Sequence, residues 1–216
     1  MTVAIIGITL YRPSGSKVGG VAMDMPKEDG VYIYNRGEWR RVSADGPFVP
    51  KEDGVYVYYF RNRKCPGCKS FDSTWLKAVD KAGRELHGIP VIVQCTNFFI
   101  ECGDESAKDT FILFLVTVTP QIMVLVVENS ELRFVEREYG PLDYDVLIQF
   151  VNETRKRMES YLAGKGMEQE ESEGEGIYIE LSGDWKRVVE KLKRMLFEGK
   201  NLREICDESG CRIYVE

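Results

Sequence analysis

Of the six cysteines in this sequence of 216 residues, one pair stands out by its spacing: Cys65-Pro66-Gly67-Cys68. Two thiols so placed can do two kinds of chemistry. They can exchange with a disulfide, the first sulfur attacking and the second resolving, or they can supply half of a soft-metal site. The flanking residues favour exchange. Gly54–Phe60 is apolar and Tyr-rich and reads as a strand, while Phe71, Trp75, Leu76, Val79 and Leu86 form a stripe that predicts a helix running to about Leu86. Cys65 then falls at the helix N-cap, where unpaired N–H groups and the helix dipole stabilise an anion. Thiolate is the nucleophilic form, so this position activates the sulfur. Pro66 suits the first helical position, and Gly67 keeps the turn open to an incoming chain. Arg61, Arg63, Lys64 and Lys69 crowd the same loop, and Lys64, Pro66 and Gly67 are the residues expected to tune the thiolate.

The elements that must hold this pair alternate strand and helix. After the motif helix come a short strand at Val91–Cys95, a helix from Asp104 to about Leu115, strands at Gln121–Val127 and Leu132–Glu138 joined across Glu-Asn-Ser-Glu, and a closing helix over Asp143–Leu162. This order predicts a mixed sheet with helices on both faces. Outside it, PKEDGVYIY at 26–34 returns as PKEDGVYVY at 50–58, and GVYIYNRGEWRRV at 30–42 has a weaker echo in GIYIELSGDWKRV at 176–188. Such local duplication predicts similar strands in one sheet or in a small satellite. Residues 163–176 carry Gly and Glu with nothing to bury and read as a linker. Beyond them the sequence predicts a strand at Ile177–Leu181, an amphipathic helix over Asp184–Phe197, and a turn between Cys206 and Cys211 leading to a last strand. That short piece has a marginal core and must dock on something; the N-terminal strands that share its repeat are the expected partner.

The strand VYVYYF, the motif KCPGC with its helix, the strand VIVQC and the later VTVTPQIMVLV occur in the order of the thioredoxin/glutaredoxin family, which residues 50–162 resemble. The resemblance implies that Cys65 and Cys68 are the catalytic pair. It also implies that Thr119-Pro120 is the cis-proline loop that lies beside the dithiol and binds substrate backbone. Two departures stand out. Lys64 and Pro-Gly replace the Trp and Gly-Pro usual in thioredoxins, and Tyr59 occupies the position of their buried Asp, six residues before the first cysteine. A phenol is a poor base at neutral pH, so water or another carboxylate has to assist proton transfer.

The fold class expected is therefore α/β: a thioredoxin-like mixed sheet flanked by helices, with a small β-rich α+β accessory module drawn from the N- and C-terminal segments. The divisions are 1–45 for a β-rich extension, 46–162 for the thioredoxin-like domain, 163–175 for the acidic linker and 176–216 for a β-α-β module. The function expected is thiol–disulfide exchange on protein or small-molecule disulfides, with a reductase or oxidant as redox partner and no cofactor or metal. Two alternatives stand beside it: a thioredoxin-like scaffold without turnover, and a zinc site built from Cys65, Cys68, Cys206 and Cys211. Cys206 and Cys211 read either as a local structural disulfide, which is sterically feasible, or as free thiols; Cys95 reads as a buried inert thiol, and Cys102 either as its partner or as an exposed regulatory thiol. The single histidine, His87, reads as solvated or dipole-compensating near the end of the motif helix.

Composition narrows the partners. With 29 basic against 35 acidic residues the net charge is −6, which argues against a nucleic-acid binder. No apolar run reaches the length of a membrane span. Val3–Leu10 is apolar but lacks the flanks of a signal peptide, so it reads as a strand and the expected location is cytoplasmic. One His, few Asn and Gln, and abundant Glu, Lys and Arg match the composition of thermophile proteins. The sequence sets no oligomeric state.

Overall fold

In the computed structural model, residues 24–164 and 184–215 are described. The architecture is mixed α/β, with a six-stranded mixed sheet, a three-stranded sheet and five helices. The Val3–Leu10 and Ile177–Leu181 strands, most of the third repeat copy and most of the linker expected from the sequence lie outside the described residues.

The sheet is organised by β3 (Gly54–Asn62), which is buried on both faces. Tyr56, Tyr58 and Phe60 enter one apolar cluster, and Val57 and Tyr59 enter the other, as the period of two along a strand requires. β3 runs parallel to β4 (Ile89–Cys95), and α1 (Pro66–Asp80) makes the crossover between them. On its other side β3 pairs antiparallel with β6 (Gln121–Glu128), which turns through Asn129 and Ser130, both in the left-handed region, into β7 (Glu131–Tyr139).

The repeated nonapeptide has a structural counterpart. β1 (Gly30–Asn35) pairs antiparallel with β4, so β1 and β3 flank the same strand. The local turn is reproduced as well: Tyr32 donates to the Glu28 carbonyl, and Tyr56 donates to the Glu52 carbonyl. β2 (Glu38–Val42) then closes that edge by pairing with β1.

Helices cover both faces. α1 packs on the Tyr59 face through Phe71, Trp75, Ala78 and Val79, with α3 (Tyr144–Asn152) beside it. On the opposite face lie α2 (Glu105–Leu113), capped by Asp104, and α5 (Trp185–Leu196), capped by Asp184. Two helices are shorter than their apolar stripes suggested. α1 stops at Asp80 because the Lys81 carbonyl is taken by the N–H groups of Arg84, Glu85 and Leu86 in a tight turn with Gly83 left-handed. Leu86 still reaches the core from that turn, and His87 lies exposed beyond it. The closing helix is broken at Glu153 into α3 and α4 (Thr154–Leu162). There the Phe150 carbonyl accepts from the Thr154 hydroxyl and the Arg157 guanidinium, and such side-chain donors compete with the helical ladder.

Among the described residues the two terminal segments join different sheets rather than one accessory module. β1 and β2 extend the central sheet, whereas β8 (Leu202–Asp207) and β9 (Gly210–Val215) form a hairpin that joins the two-residue strand β5 (Val118–Thr119). α5 docks on α2, and its Val188, Val189 and Leu192 are buried there. The reason is geometric. β4 offers β1 a ladder, while the short β5 beside the motif helix has main-chain groups that β9 satisfies.

Candidate redox site

The strand-to-helix junction forms as the motif requires. Cys65 has an extended backbone at the N-cap of α1, Pro66 follows in the first turn, and the Cys65 sulfur accepts from the Cys68 N–H at 3.1 Å. The Thr119–Pro120 peptide bond is cis, and the Thr119 carbonyl lies 3.5 Å from Cys65 Sγ. The structure thus brings together Cys65, Pro66, Gly67, Cys68, Thr119 and Pro120. Both motif thiols are free and completely buried.

Their environments push the two sulfurs in opposite directions. The Cys65 thiol is lowered to about 7 by the Cys68 thiol, and further by the Cys68 N–H, the Thr119 hydroxyl and the Cys211 N–H, against the opposing effect of burial. The Thr119 hydroxyl is buried and has no other partner, so it is free to turn toward the sulfur once that sulfur ionises. Burial raises Cys68 well above the usual thiol range, and its hydrogen bond to Cys65 adds to this. One thiol poised to ionise beside one kept protonated is the asymmetry that dithiol exchange requires. In protein whose motif thiols are reduced, the thiolate ultraviolet absorbance should therefore rise with a midpoint near pH 7, and this step should vanish in Cys65→Ser. A first step at or above the reference of about 8.5 would refute the assignment.

The basic residues of the loop are not the source of that activation. Lys64 points to Glu101, Nζ to Oε2 2.6 Å, and both side chains are exposed. Arg63 reaches Asp29 at 2.9 Å, and Arg61 is tied to Asp72. Lys64 therefore sits at the rim rather than on the sulfur; hydrogen-bond donors, not long cations, supply the stabilisation.

A residue that the sequence reading passed over completes the site. Asp72 lies one helical turn after Cys68 on α1. Its carboxylate accepts from Arg61 through Nη2 at 2.6 Å and Nε at 2.8 Å, and from the Tyr59 hydroxyl at 3.0 Å. Tyr59 also reaches the Cys68 carbonyl at 3.0 Å, and Arg61 reaches Gln94 at 2.7 Å. Burial pushes the Tyr59 phenol well up, with the charges of Cys68 and Asp72 adding to the shift, so Tyr59 remains protonated and cannot serve as the base. The nearby carboxylate is Asp72. The four-residue spacing from Cys68 to Asp72 was the available signal, since it puts both on one helix face.

The other four cysteines are paired. Cys95 is joined to Cys102 and Cys206 to Cys211, with S–S distances of 2.06 and 1.98 Å. The four sulfurs of the alternative zinc site are therefore not gathered as thiolates. Cys206 and Cys211 are bonded to each other beside Glu204, and a disulfide sulfur has no thiolate to offer a metal.

The groove above the dithiol is filled by the chain's own hairpin. β9 pairs with β5, setting Cys211 opposite Thr119 and Arg212 opposite Val118, and the Ile213 N–H donates to the Thr117 carbonyl at 2.8 Å. Two glycines permit this approach. A Cβ on Gly67 would lie 2.5 Å from the Ser209 carbonyl carbon and oxygen, and one on Gly210 would lie 2.1 Å from the Thr119 oxygen. The incoming chain for which Gly67 leaves room is thus, in this structure, residues 209–211.

Among the described residues no helix is long and apolar enough to cross a membrane. None of the protein-family models, curated proteins or solved structures compared with this chain matches it.

Proposed function

We propose that this chain is a thiol–disulfide oxidoreductase whose thioredoxin-like domain spans about residues 46–162. The observation that carries this reading is the asymmetry of the motif. Cys65 is an N-cap thiol that accepts from the Cys68 N–H and is lowered to about 7, and Cys68 is a protonated neighbour one turn along. In the reductive direction the Cys65 thiolate attacks a substrate disulfide and the substrate's leaving sulfur takes up a proton. Cys68 then loses its proton and attacks Cys65, which releases the second substrate thiol and leaves Cys65–Cys68 oxidised. The oxidative direction is the reverse. Thr119 and Pro120 shape the groove, the substrates are protein or small-molecule disulfides, and a reductase or oxidant resets the pair. The proposed setting is the cytoplasm of a thermophile, the cytoplasmic case in which disulfides persist; the charged, His-poor composition supports it.

The test is turnover. The full chain, added in catalytic amount, should accelerate reduction of a protein disulfide by a small dithiol above the uncatalysed rate. An equal rate with and without the protein, while Cys65 still reacts with an alkylating agent, would replace this reading by the scaffold one.

A further inference from the structure

Cys65 is fully buried, yet exchange requires a disulfide to reach its sulfur. Among the described residues one is carried on the strand that pairs with β5 at the site. β9 adds to β5 by main-chain pairing, the mode by which sheet edges capture extended peptides. Along β9 the inward positions are Cys211 and Ile213, both buried, and Cys211 belongs to the same apolar cluster as Cys65 and Cys68. Cys211 stands opposite Thr119, whose carbonyl lies 3.5 Å from the Cys65 sulfur. Directly across the hairpin stands Cys206, bonded to Cys211 and exposed to solvent. The hairpin is also held firmly. Asp207 accepts from the Ser209 N–H at 2.8 Å and the Gly210 N–H at 3.1 Å in its turn, and Glu204 accepts from Asn97 at 2.7 Å.

We infer that Cys206–Cys211 is a second redox centre and the intramolecular substrate of the Cys65/Cys68 pair, so that the C-terminal hairpin passes electrons between the buried dithiol and the protein surface. This rests on the oxidoreductase reading of the site. The Cys65 thiolate attacks the Cys211 sulfur. The Cys65–Cys211 bond forms, the Cys206–Cys211 bond breaks, and Cys206 leaves as a thiolate that takes a proton from solvent. Cys68 then gives up its proton and attacks Cys65. The Cys65–Cys68 bond forms, and Cys211 leaves as a thiolate and is protonated. Two electrons have moved from the motif dithiol, now oxidised, to the hairpin disulfide, now two thiols. The exposed Cys206 thiol carries those electrons on by the same exchange with a disulfide of another protein or a small molecule, and a reducing dithiol partner, by opening Cys206–Cys211 first, drives the sequence backwards. Glu204 Oε1, 3.3 Å from Cys206 Sγ, is placed to accept the Cys206 proton. This route lets a completely buried dithiol exchange with the outside without unfolding its cover.

The test uses the full chain as Cys68→Ser, in which the second step is blocked, prepared with Cys206–Cys211 oxidised. After acid quenching, blocking of free thiols and proteolysis, mass spectrometry should find the Cys65 peptide joined to the Cys211 peptide, with Cys206 carrying the blocking group. A companion measurement does not depend on that variant. Cys65→Ser should slow the reduction of Cys206–Cys211 by a small dithiol about tenfold or more relative to the unsubstituted chain, because the internal thiolate is lost. If the only linkage found is Cys206–Cys211 while Cys65 exchanges readily with a small aromatic disulfide, or if the two reduction rates are equal, the relay is overturned and the oxidoreductase reading stands. If Cys65 exchanges with neither disulfide, both readings fall.

Discussion

Replacing Gly67 by Ala should speed alkylation of Cys65 by about 5- to 150-fold, because overpacking a tight contact costs about 1–3 kcal/mol and here the strain falls on the docked hairpin. The added methyl group would sit 2.5 Å from main-chain atoms of Ser209, and no side-chain rotation can relieve that. α1 itself gains from the substitution, since Ala is the better helix former by about 1 kcal/mol. The effect is therefore specific. The helix and the sheet keep their stability, while β9 is pushed from β5 and the fully buried sulfur becomes reachable through a cheaper local opening. Gly210→Ala should give the same result from the opposite side of the contact, where the Thr119 oxygen is 2.1 Å from the added carbon. The check is the alkylation rate of Cys65 by peptide mass spectrometry, beside a global unfolding curve. Unchanged alkylation in both variants would mean that the close approach of the two backbones does not control access.

Asp72→Asn should destabilise the folded chain by about 3–5 kcal/mol, the usual cost of stripping the partner from a buried ion pair. The Arg61 side chain is 9% exposed and Asp72 is 16% exposed. The guanidinium relies on that carboxylate for a bidentate contact, with Gln94 as its other side-chain acceptor. Asn keeps the shape but loses the charge, leaving Arg61 charged in a place water barely reaches. The denaturation midpoint should fall with little change in slope, because a local electrostatic loss leaves the exposed area of unfolding as it was. The double variant Arg61→Met, Asp72→Leu should recover most of the loss, since apolar replacements of buried pairs are often neutral. A single variant within about 1 kcal/mol of the original chain would place the pair in the class of weak, solvent-screened contacts and remove Asp72 as a buried partner of the redox helix.

Much of the fold was legible because its signals are local. The alternating faces of Val55–Phe60, the helix starts near Asp104 and Asp184, the Asn129-Ser130 turn and the placement of Cys65 at a helix N-cap each depend on residues within a few positions of one another. Helix length was misjudged where a local competitor interrupted a periodic stripe. The Lys81 carbonyl ended α1, and Thr154 with Arg157 split the closing helix. Periodicity sees which side chains are apolar and not which carbonyls are already taken. Lys64 was misjudged for a related reason: its position next to Cys65 says nothing of where a long side chain points, and Glu101 drew it away.

The sequence by itself determined that a Cys-x-x-Cys pair sits at a strand-to-helix junction in a mixed α/β sheet, because helix caps, strand alternation and residue spacing are properties of short windows. Only the tertiary structure decided that Asp72 neutralises Arg61 and that a C-terminal hairpin with its own disulfide lies on the site. Those contacts are chosen by which sheet edge stays unsatisfied and which backbone can approach it. β5 leaves such an edge beside Cys65, and Gly67 and Gly210 let β9 come close enough to fill it.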